Sequence, residues 1–357
     1  MSDQDELSRI RTAVEEADDA LASALDARAR AVKSFIALRT RNPDGYYTLA
    51  RSAEVLGHLR ERVREFPEHG IEYVLREVLS ACDAMVRPVR ITYAGPEGGR
   101  AHEAARKHFG ASAQLVALDE VASVVDEVAR GEASFGVIAL ETSSDGAVSA
   151  TLDALASSDV KICAELTVPV SFHLVSRTGN AADFDKIYLT ASAHQACERW
   201  LRAHCPRATL IDVSTLSVAA QLAAEDHGAA AIATQTIAEK LSLRFVKEHI
   251  EDETGIEVRY AVIGGDLPTR TGTDRTMLAV ALHDSPGALY KGLKPFADRG
   301  VNLTRLESRP ARGEPWRYVF FIELDGHLTD RPVLTATEEL RAASRWLKVL
   351  GSYPRPA

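Results

Sequence analysis

The amino-acid sequence predicts a multidomain protein with an all-α N-terminal part, an α/β middle part and an α+β C-terminal module. Three observations lead to this prediction. Apolar residues recur at helical spacing through residues 3–39, short β-type runs alternate with helical patterns after residue 89, and a βαββαβ pattern closes the chain. A length of 357 residues also favours two or three domains over one.

Composition and charge exclude several classes of protein. The net charge of −9 argues against nucleic-acid binding, since phosphate backbones are bound mainly through an excess of lysine and arginine. The sequence has no run of about 18 apolar residues that would span a membrane, and its acidic N-terminus lacks the pattern of a signal peptide. The four cysteines follow no CxxC or disulfide-rich pattern, so we expect reduced thiols, no bound metal and a cytoplasmic location.

The first predicted element is a helix over residues 3–39, which would be about 50 Å long. Its apolar stripe includes Leu7, Ile10, Val14, Leu21 and Leu25. A single helix of this length cannot bury its stripe, so it must pair with the helices predicted near residues 47–66 and 71–86, or with a second copy of itself. We therefore expect a homodimer.

Four arginines of this region are candidates for a cationic pocket: Arg11, Arg28, Arg39 and Arg51. Arg28 and Arg39 are eleven positions apart, which places them within about 20° on one face of an ideal helix. Arg11 projects about 100° away, where it would point into the site of a partner subunit. Such a pocket would suit a small dianion. The alternative is that these arginines are ordinary solvated residues of an exposed helix face.

The middle of the chain alternates strand-like and helix-like runs, which predicts α/β domains with largely parallel sheets. The segment Gly95-Pro96-Glu97-Gly98-Gly99 lies between the first strand and the first helix of this region. Glycines there let backbone N–H groups and a helix N-terminus approach an anion. A single glycine-rich turn is equally compatible with an anion site and with a purely structural turn.

The C-terminal pattern is typical of a small ligand-sensing module. Residues 264–273 have the composition of a linker, and Thr276–His283 then alternates as a strand. An amphipathic helix follows and ends before Gly300, a second strand covers Val301–Pro310, and an aromatic β-rich run covers Trp316–Leu324. This arrangement favours ligand binding over catalysis.

Several motifs resemble those of known families. The all-helical chorismate mutases are matched by Ile10-Arg11 and Leu25-Asp26-Ala27-Arg28. The prephenate dehydratases are matched by Ile91–Gly98, Glu141–Val148 and Arg259–Gly264. The phenylalanine-binding motifs of ACT domains are matched by Pro286–Leu289 and Glu307–Pro310. The three parts, in this order, resemble the bifunctional P-protein family of phenylalanine biosynthesis. The resemblance covers almost the whole chain.

The resemblance implies an all-α bundle over residues 1–88, a two-lobed α/β domain like the periplasmic binding proteins over residues 89–267, and a βαββαβ ACT domain over residues 274–355. It also implies conversion of chorismate to prephenate, and of prephenate to phenylpyruvate, carbon dioxide and water, with phenylalanine as feedback effector. It implies no cofactor. An alternative is a catalytically impaired relative that senses phenylalanine as a regulatory or binding protein.

The resemblance also assigns residues to each site. Chorismate would be bound by the four arginines named above, and prephenate by Gly95, Glu97, Gly98, Glu141, Thr142 and Arg259, with Val258 beside them. Phenylalanine would be bound by Gly287, Ala288, Leu289, Asn302, Leu303, Glu307, Ser308, Arg309 and Pro310.

Two departures from the family pattern concern the dehydratase chemistry. The pattern Asn-x-Thr-Arg-Phe, whose threonine is the implied proton donor to the departing hydroxide, ends here in Val258-Arg259-Tyr260. Valine has the shape of threonine without its hydroxyl, so this donor is missing, while Arg259 remains as a carboxylate clamp. The family's Glu-Asn pair reads Glu141-Thr142. We expect mutase activity to exceed dehydratase activity, because chorismate rearrangement needs a charged pocket but no acid or base.

Overall fold

The computed structural model describes residues 3–39, 57–58, 62–85, 89–311 and 316–356. The chain divides into two compact units, one comprising Met1–Val89 with Phe109–Gln114 and the other comprising Arg90–His108 with Leu115–Ala357. Across the described ranges, no helix combines the length and apolar character that a membrane crossing requires. All four cysteines are free thiols.

The first unit contains the helices α1 (Asp3–Arg39) and α2 (Glu68–Ala84), which confirms two of the three helices expected there. The helix expected near residues 47–66 lies largely outside the described residues, and residues 62–67 form turns and bends. The apolar stripe of α1 is exposed: Leu7, Ile10, Val14, Leu21 and Leu25 keep 66, 56, 55, 56 and 40% of their surface accessible. The described part of one chain therefore leaves this stripe uncovered.

The second unit alternates helices and strands and closes with the βαββαβ module. Its helices are α3 (Arg100–Phe109), α4 (Val121–Ala129), α5 (Ser149–Ser157), α6 (Ala191–His204), α7 (Leu216–Glu225), α8 (Gln235–Lys240), α9 (Ala288–Ala297) and α10 (Arg331–Ala343). Its strands are β1 (Arg90–Ala94), β2 (Gln114–Leu118), β3 (Phe135–Thr142), β4 (Gly146–Ala147), β5 (Lys161–Pro169), β6 (His173–Ser176), β7 (Lys186–Leu189), β8 (Thr209–Asp212), β9 (Ala229–Ala233), β10 (Arg244–Lys247), β11 (Glu257–Gly264), β12 (Asp274–Leu282), β13 (Leu303–Pro310), β14 (Tyr318–Asp325) and β15 (Ser344–Pro354).

These strands form two mixed sheets. The first has the order β13-β14-β12-β15-β5-β11-β3-β1-β2, with β4 paired to β3, and the second has the order β10-β6-β9-β7-β8. β11 lies antiparallel between β3 and β5, and β6 is antiparallel to β9 and β10. The prediction of largely parallel sheets is therefore wrong, because the chain crosses from one sheet to the other after β5 and returns through β11 in the opposite direction.

We name the part built on β1–β5 and β11 the first lobe, the part built on β6–β10 the second lobe, and residues 274–354 the sensor module. The second lobe has an alanine-rich core in which every residue of β9 is buried. Ala219 and Ala223 of α7 pack in that core, so the small side chains of both elements let the helix lie close to the sheet. The hydroxyl of Thr215 caps α7 by accepting from the Val218 N–H at 3.2 Å.

The sensor module shares its sheet and a core with the first lobe. β15 runs beside β5 with Gly351 opposite Ile162, and a Cβ atom at position 351 would lie 2.6 Å from the Ile162 Cβ, so this approach requires glycine. Met277 and Phe321 of the sensor module belong to the same buried cluster as Leu155 of the first lobe. The predicted fold classes are confirmed, and the segment predicted as a linker joins two parts of one continuous sheet.

Candidate functional site

The second unit contains a cavity of about 320 Å³ lined by residues of both lobes. Strand residues Ala94, Ala139 and Tyr260 form its wall on the first lobe. Phe172 lies just before β6, at the crossing between the lobes, and also lines the cavity. A cleft between two lobes is a common position for a small-molecule site.

Four helices begin at this cavity. Arg100 is the first residue of α3, Val121 of α4 and Leu216 of α7, while Ser192 is the second residue of α6, and all four side chains line the cavity. The N-terminus of a helix carries partial positive charge and unpaired backbone N–H groups. Their convergence on one cavity favours an anionic ligand.

Arg100 brings a full positive charge to the same cavity. Its guanidinium lies over the ring of Phe172, with Cζ 5.0 Å from the ring centroid. Within the described ranges no carboxylate comes within 4.0 Å of it. Burial lowers the pKa of Arg100, against the opposing effect of Tyr260 and Glu103, yet a guanidinium stays charged at neutral pH. Arg100 is not among the predicted site residues, although a cation directly after Gly98-Gly99 at a helix start is a usable signal.

The hydroxyl groups among the cavity-lining residues belong to Ser192 and Tyr260. The Ser192 hydroxyl lies 3.2 Å from the Thr190 hydroxyl, which also caps α6. Burial raises the pKa of Tyr260 well above its usual range, so this phenol stays protonated. Nearby, His102 is buried, burial lowers its pKa, and its Nδ1 accepts from the Gly98 N–H at 3.1 Å, so it is a neutral imidazole at neutral pH.

The glycine-rich turn, for which an anion site and a structural turn were both predicted, connects the two lobes. The Glu97 side chain pairs with Lys240 of α8, and the Glu97 carbonyl accepts from the Ser217 hydroxyl at 2.6 Å. Gly98 has φ +80°, and a Cβ atom there would lie 2.8 Å from Ser217 Oγ, so glycine permits this close contact. Gly95 donates its N–H to the Leu118 carbonyl at 2.7 Å. Ala94 and Arg100, on either side of the turn, reach the cavity.

The two diverged dehydratase positions face each other across neighbouring strands. Val258 of β11 is opposite Thr142 of β3 and is buried at 4% exposure. Because side chains alternate along a strand, Val258 lies on the same face of β11 as Tyr260, which lines the cavity. The position that would carry the proton donor is therefore an apolar one next to the cavity wall.

Arg259 lies on the other face of β11, where carboxylates of the first lobe and the sensor module surround it. Its guanidinium lies 2.9 Å from Glu141, 3.4 Å from Glu165 and 2.7 Å from Glu323. Arg275 adds contacts of 2.9 Å to Glu165 and 3.3 Å to Glu323. We call these three glutamates and two arginines, together with Arg305, the junction cluster. Arg259 and Glu141, both predicted to bind prephenate, are thus held outside the cavity lining.

The junction cluster is buried and electrostatically balanced. Glu165 and Glu323 keep 1 and 2% of their side chains exposed. Burial would raise the pKa of Glu323, but the hydrogen bonds from Arg259 and Thr304 together with the charges of Arg259 and Arg275 outweigh burial and hold its pKa below the ordinary value. For Glu165 burial dominates over Arg259 and Arg275 and raises the pKa. Arg305 of β13 completes the cluster with a 3.1 Å contact to Glu141, which ties the sensor module to the first lobe.

The residues predicted to bind phenylalanine lie at the start of α9 and along β13. Gly287, with φ +75°, precedes Ala288 and Leu289 in the first turn of α9. The Asn302 side chain donates to Asp325 at 2.9 Å, and Leu303 is opposite Leu324 of β14. Ser308 is exposed, Glu307 is opposite Phe321, and Pro310 ends the strand. Arg309 binds Asp153 of α5 at 3.1 Å, so one predicted effector residue is engaged with the first lobe.

The predicted mutase arginines are only partly described. Arg11 is exposed on α1. Arg28 is partly buried, and its Nη1 is buried without a hydrogen-bond partner among the described residues. Arg39 is the last residue of α1, but its side chain lies outside the described residues, as does the whole of Arg51.

Comparison with known proteins adds the family relationship. The prephenate dehydratase family model matches residues 91–267, and the ACT domain model matches residues 276–342. A bifunctional chorismate mutase/prephenate dehydratase from Aquifex aeolicus is 32% identical over 98% of this chain and 98% of its own length. One from Pseudomonas aeruginosa is 34% identical over 99% of each chain.

A solved structure agrees with these matches. The prephenate dehydratase from Arthrobacter aurescens in complex with L-Phe superposes with a TM-score of 0.66 at 36% identity. The superposition covers 75% of this chain and 90% of that chain.

Proposed function

The chain belongs to the bifunctional chorismate mutase/prephenate dehydratase family, and from this premise we propose that it acts in phenylalanine biosynthesis. In this proposal the second unit converts prephenate into phenylpyruvate, carbon dioxide and water, the first unit converts chorismate into prephenate, and phenylalanine regulates through the sensor module. The observation that carries the dehydratase assignment is the cavity where Arg100 and four helix N-termini converge. We place the enzyme in the cytoplasm.

The cavity can support the first half of the dehydratase reaction. Prephenate is a dianion, and the positive cavity surface suits it. In the reaction the ring carboxylate leaves as carbon dioxide, its bonding electrons enter the ring, and hydroxide leaves the opposite ring carbon and takes up a proton. Apolar side chains of Ala94, Val121 and Ala139 line part of the cavity, where a carboxylate is poorly solvated and its loss is favoured.

The second half of the reaction, the loss of hydroxide, lacks its usual proton donor. Val258 has no proton to give, and the hydroxyls of Ser192 and Tyr260 are the remaining donors among the cavity-lining residues. The raised pKa of Tyr260 makes it a weak acid, and Ser192 has no charged activating partner within the described cavity. We therefore expect slow departure of hydroxide.

The test is to incubate the purified full-length protein with prephenate and with chorismate in separate reactions. Carbon dioxide and phenylpyruvate should be measured independently, because Val258 affects only the loss of hydroxide. The proposal expects slow formation of phenylpyruvate that phenylalanine inhibits, and faster conversion of chorismate. Release of carbon dioxide without phenylpyruvate would contradict the dehydratase assignment, since the ring would then have taken up a proton and kept its hydroxyl group.

The mutase proposal rests on the first unit. The buried Arg28 Nη1 without a hydrogen-bond partner among the described residues is the kind of group that a substrate carboxylate satisfies. Arg11, exposed on the same helix, would reach the site of a second copy. Arg39 and Arg51 would supply further positive charge in this proposal. If the protein does not convert chorismate, the mutase proposal is wrong.

We propose a homodimer as the functional form, with α1 as part of the interface. The exposed stripe of α1 is apolar over about five turns of helix, and burying such a stripe against a second copy is more stable than leaving it in water. Leu21 at 56% exposure lies within the stripe, whereas Ser23 lies about 160° away on the opposite face.

The substitution Leu21→Asp is expected to weaken the dimer by roughly 100-fold or more, because an apolar side chain is lost from each of two copies and a charge is added. Analytical ultracentrifugation across a concentration series measures this change. Ser23→Asp is the matched control and should leave the dimer intact. A chain that is monomeric without substitution, or a Leu21→Asp protein that associates normally, would contradict the proposal.

A second candidate function is supported by the same residues. Val258 lacks a hydroxyl and Arg259 is engaged by three glutamates, which favours a protein that binds phenylalanine without turnover. Calorimetry with phenylalanine on the purified protein, together with the turnover assays, discriminates between the enzyme and the regulatory protein. Binding together with no turnover of either substrate would establish the regulatory alternative, and turnover of either would exclude it.

A further inference from the structure

We propose that Arg100 is the residue that binds the side-chain carboxylate of the substrate in the cavity, and thereby sets a requirement for a substrate that carries this carboxylate. This inference rests on the proposed function for the identity of the substrate. It does not rest on the motifs matched to the family, none of which includes Arg100.

The first step of the argument is that the charge of Arg100 is unused. Arg100 lines the cavity and stacks on Phe172, but in the described chain no carboxylate lies within ion-pair distance. Glu103, one turn further along α3, interacts with it electrostatically without forming an ion pair. A partly buried guanidinium without an anion favours binding of one from solution.

The second step is that the other candidate cation is already paired. The guanidinium of Arg259 contacts Glu141, Glu165 and Glu323 and lies on the face of β11 opposite Tyr260. Binding a substrate carboxylate there would require breaking a buried cluster. Arg100 is therefore the cationic side chain available among the described cavity-lining residues.

The third step decides which carboxylate Arg100 holds. Prephenate carries one carboxylate on the ring, which must leave, and one on the pyruvyl side chain, which stays. A cation bound to the leaving carboxylate would stabilise the ground state more than the transition state and slow the reaction. Arg100 therefore suits the pyruvyl carboxylate, and the apolar wall formed by Ala94 and Ala139 is left for the ring carboxylate.

The face of Phe172 orients this arginine. The guanidinium lies over the face of this ring, with Cζ 5.0 Å from the centroid, and a guanidinium presents paired N–H donors that fit a carboxylate. An arginine is therefore better suited to this position than a lysine, whose single ammonium cannot form the same paired hydrogen bonds.

The test is Arg100→Gln in the full-length protein, with prephenate and phenylpyruvate as separate probes, because phenylpyruvate keeps only the side-chain carboxylate. Calorimetry should show both bound roughly 10- to 100-fold more weakly, and Arg100→Lys should recover part of the loss. With prephenate as substrate, KM should rise while kcat changes little. Phenylacetone, which lacks the carboxylate, should bind both proteins equally.

Arg106 offers a matched control, since it lies on α3 and is exposed. Arg106→Gln should leave the affinity for both probes and the melting temperature unchanged. Loss of prephenate binding with normal phenylpyruvate binding would overturn the proposal, as would unchanged affinity for both. If the unsubstituted protein converts neither substrate but binds phenylpyruvate through Arg100, the proposed function fails and this inference stands.

Discussion

Replacing Val258 with threonine is expected to raise the rate of phenylpyruvate formation by about 10²- to 10⁴-fold, the usual contribution of a general acid. The two side chains have nearly the same shape, so the buried site accepts the change without a cavity or a clash. The new hydroxyl would lie opposite Thr142 on β3, where a cross-strand hydrogen bond can satisfy it. The measurement is kcat for phenylpyruvate formation from prephenate.

Two controls accompany this substitution. Val258→Ala removes volume without adding a hydroxyl and should not increase the rate. The rate of carbon dioxide release should be followed in parallel, since a proton donor for hydroxide accelerates phenylpyruvate formation specifically. Unchanged phenylpyruvate formation in a stable Val258→Thr protein would show that the missing hydroxyl is not what limits the dehydratase reaction.

Replacing Arg259 with methionine is expected to destabilise the second unit by about 3–5 kcal/mol, the cost of leaving buried carboxylates without their partner. Glu165 and Glu323 are almost completely buried and would keep Arg275 as their shared cation. The melting temperature should fall by roughly 6–20 °C for a unit of this size. Thermal unfolding followed by circular dichroism measures the change.

Arg202→Met is the matched control for this experiment. Arg202 pairs with Glu198 on the surface of α6 and keeps 76% of its side chain exposed, so its loss should cost less than about 1 kcal/mol. The double variant Arg259→Met/Glu323→Gln should be more stable than the single variant, because one unpaired charge is removed. Equal stability of Arg259→Met and the unsubstituted protein would show that the junction cluster contributes little.

Much of the fold was predictable from local patterns. The helix predicted over residues 3–39 has the predicted bounds, because the spacing of apolar residues there leaves a single interpretation. The mixed direction of the sheets was not predictable in the same way. It depends on where β11 inserts, and local sequence does not encode the pairing of Val262 with both Val137 and Ala164.

The candidate site was harder to predict than the fold. Side chains alternate along a strand, so Val258 and Arg259 must point to opposite faces of β11. The sequence alone therefore predicts that only one of these two residues can face the cavity. The ion-pair partners of Arg259 could not be predicted from local sequence, because Glu323 lies 64 positions away and in another module. Arg100 lies outside the matched motifs, and its position at the cavity depends on where α3 begins beside the second lobe, which local sequence does not encode.

The insertion of β15 between β12 and β5 has a consequence for how the polypeptide acquires its structure. The ribosome makes β15 long after β5, yet β15 forms the seam where the sensor module joins the first lobe. Until they emerge, β5 lacks this neighbour and presents an unpaired edge that is prone to wrong pairing. Synthesis must therefore have passed β15 before the first lobe can close, and a premature stop near residue 343 would damage the first lobe as well as the sensor module.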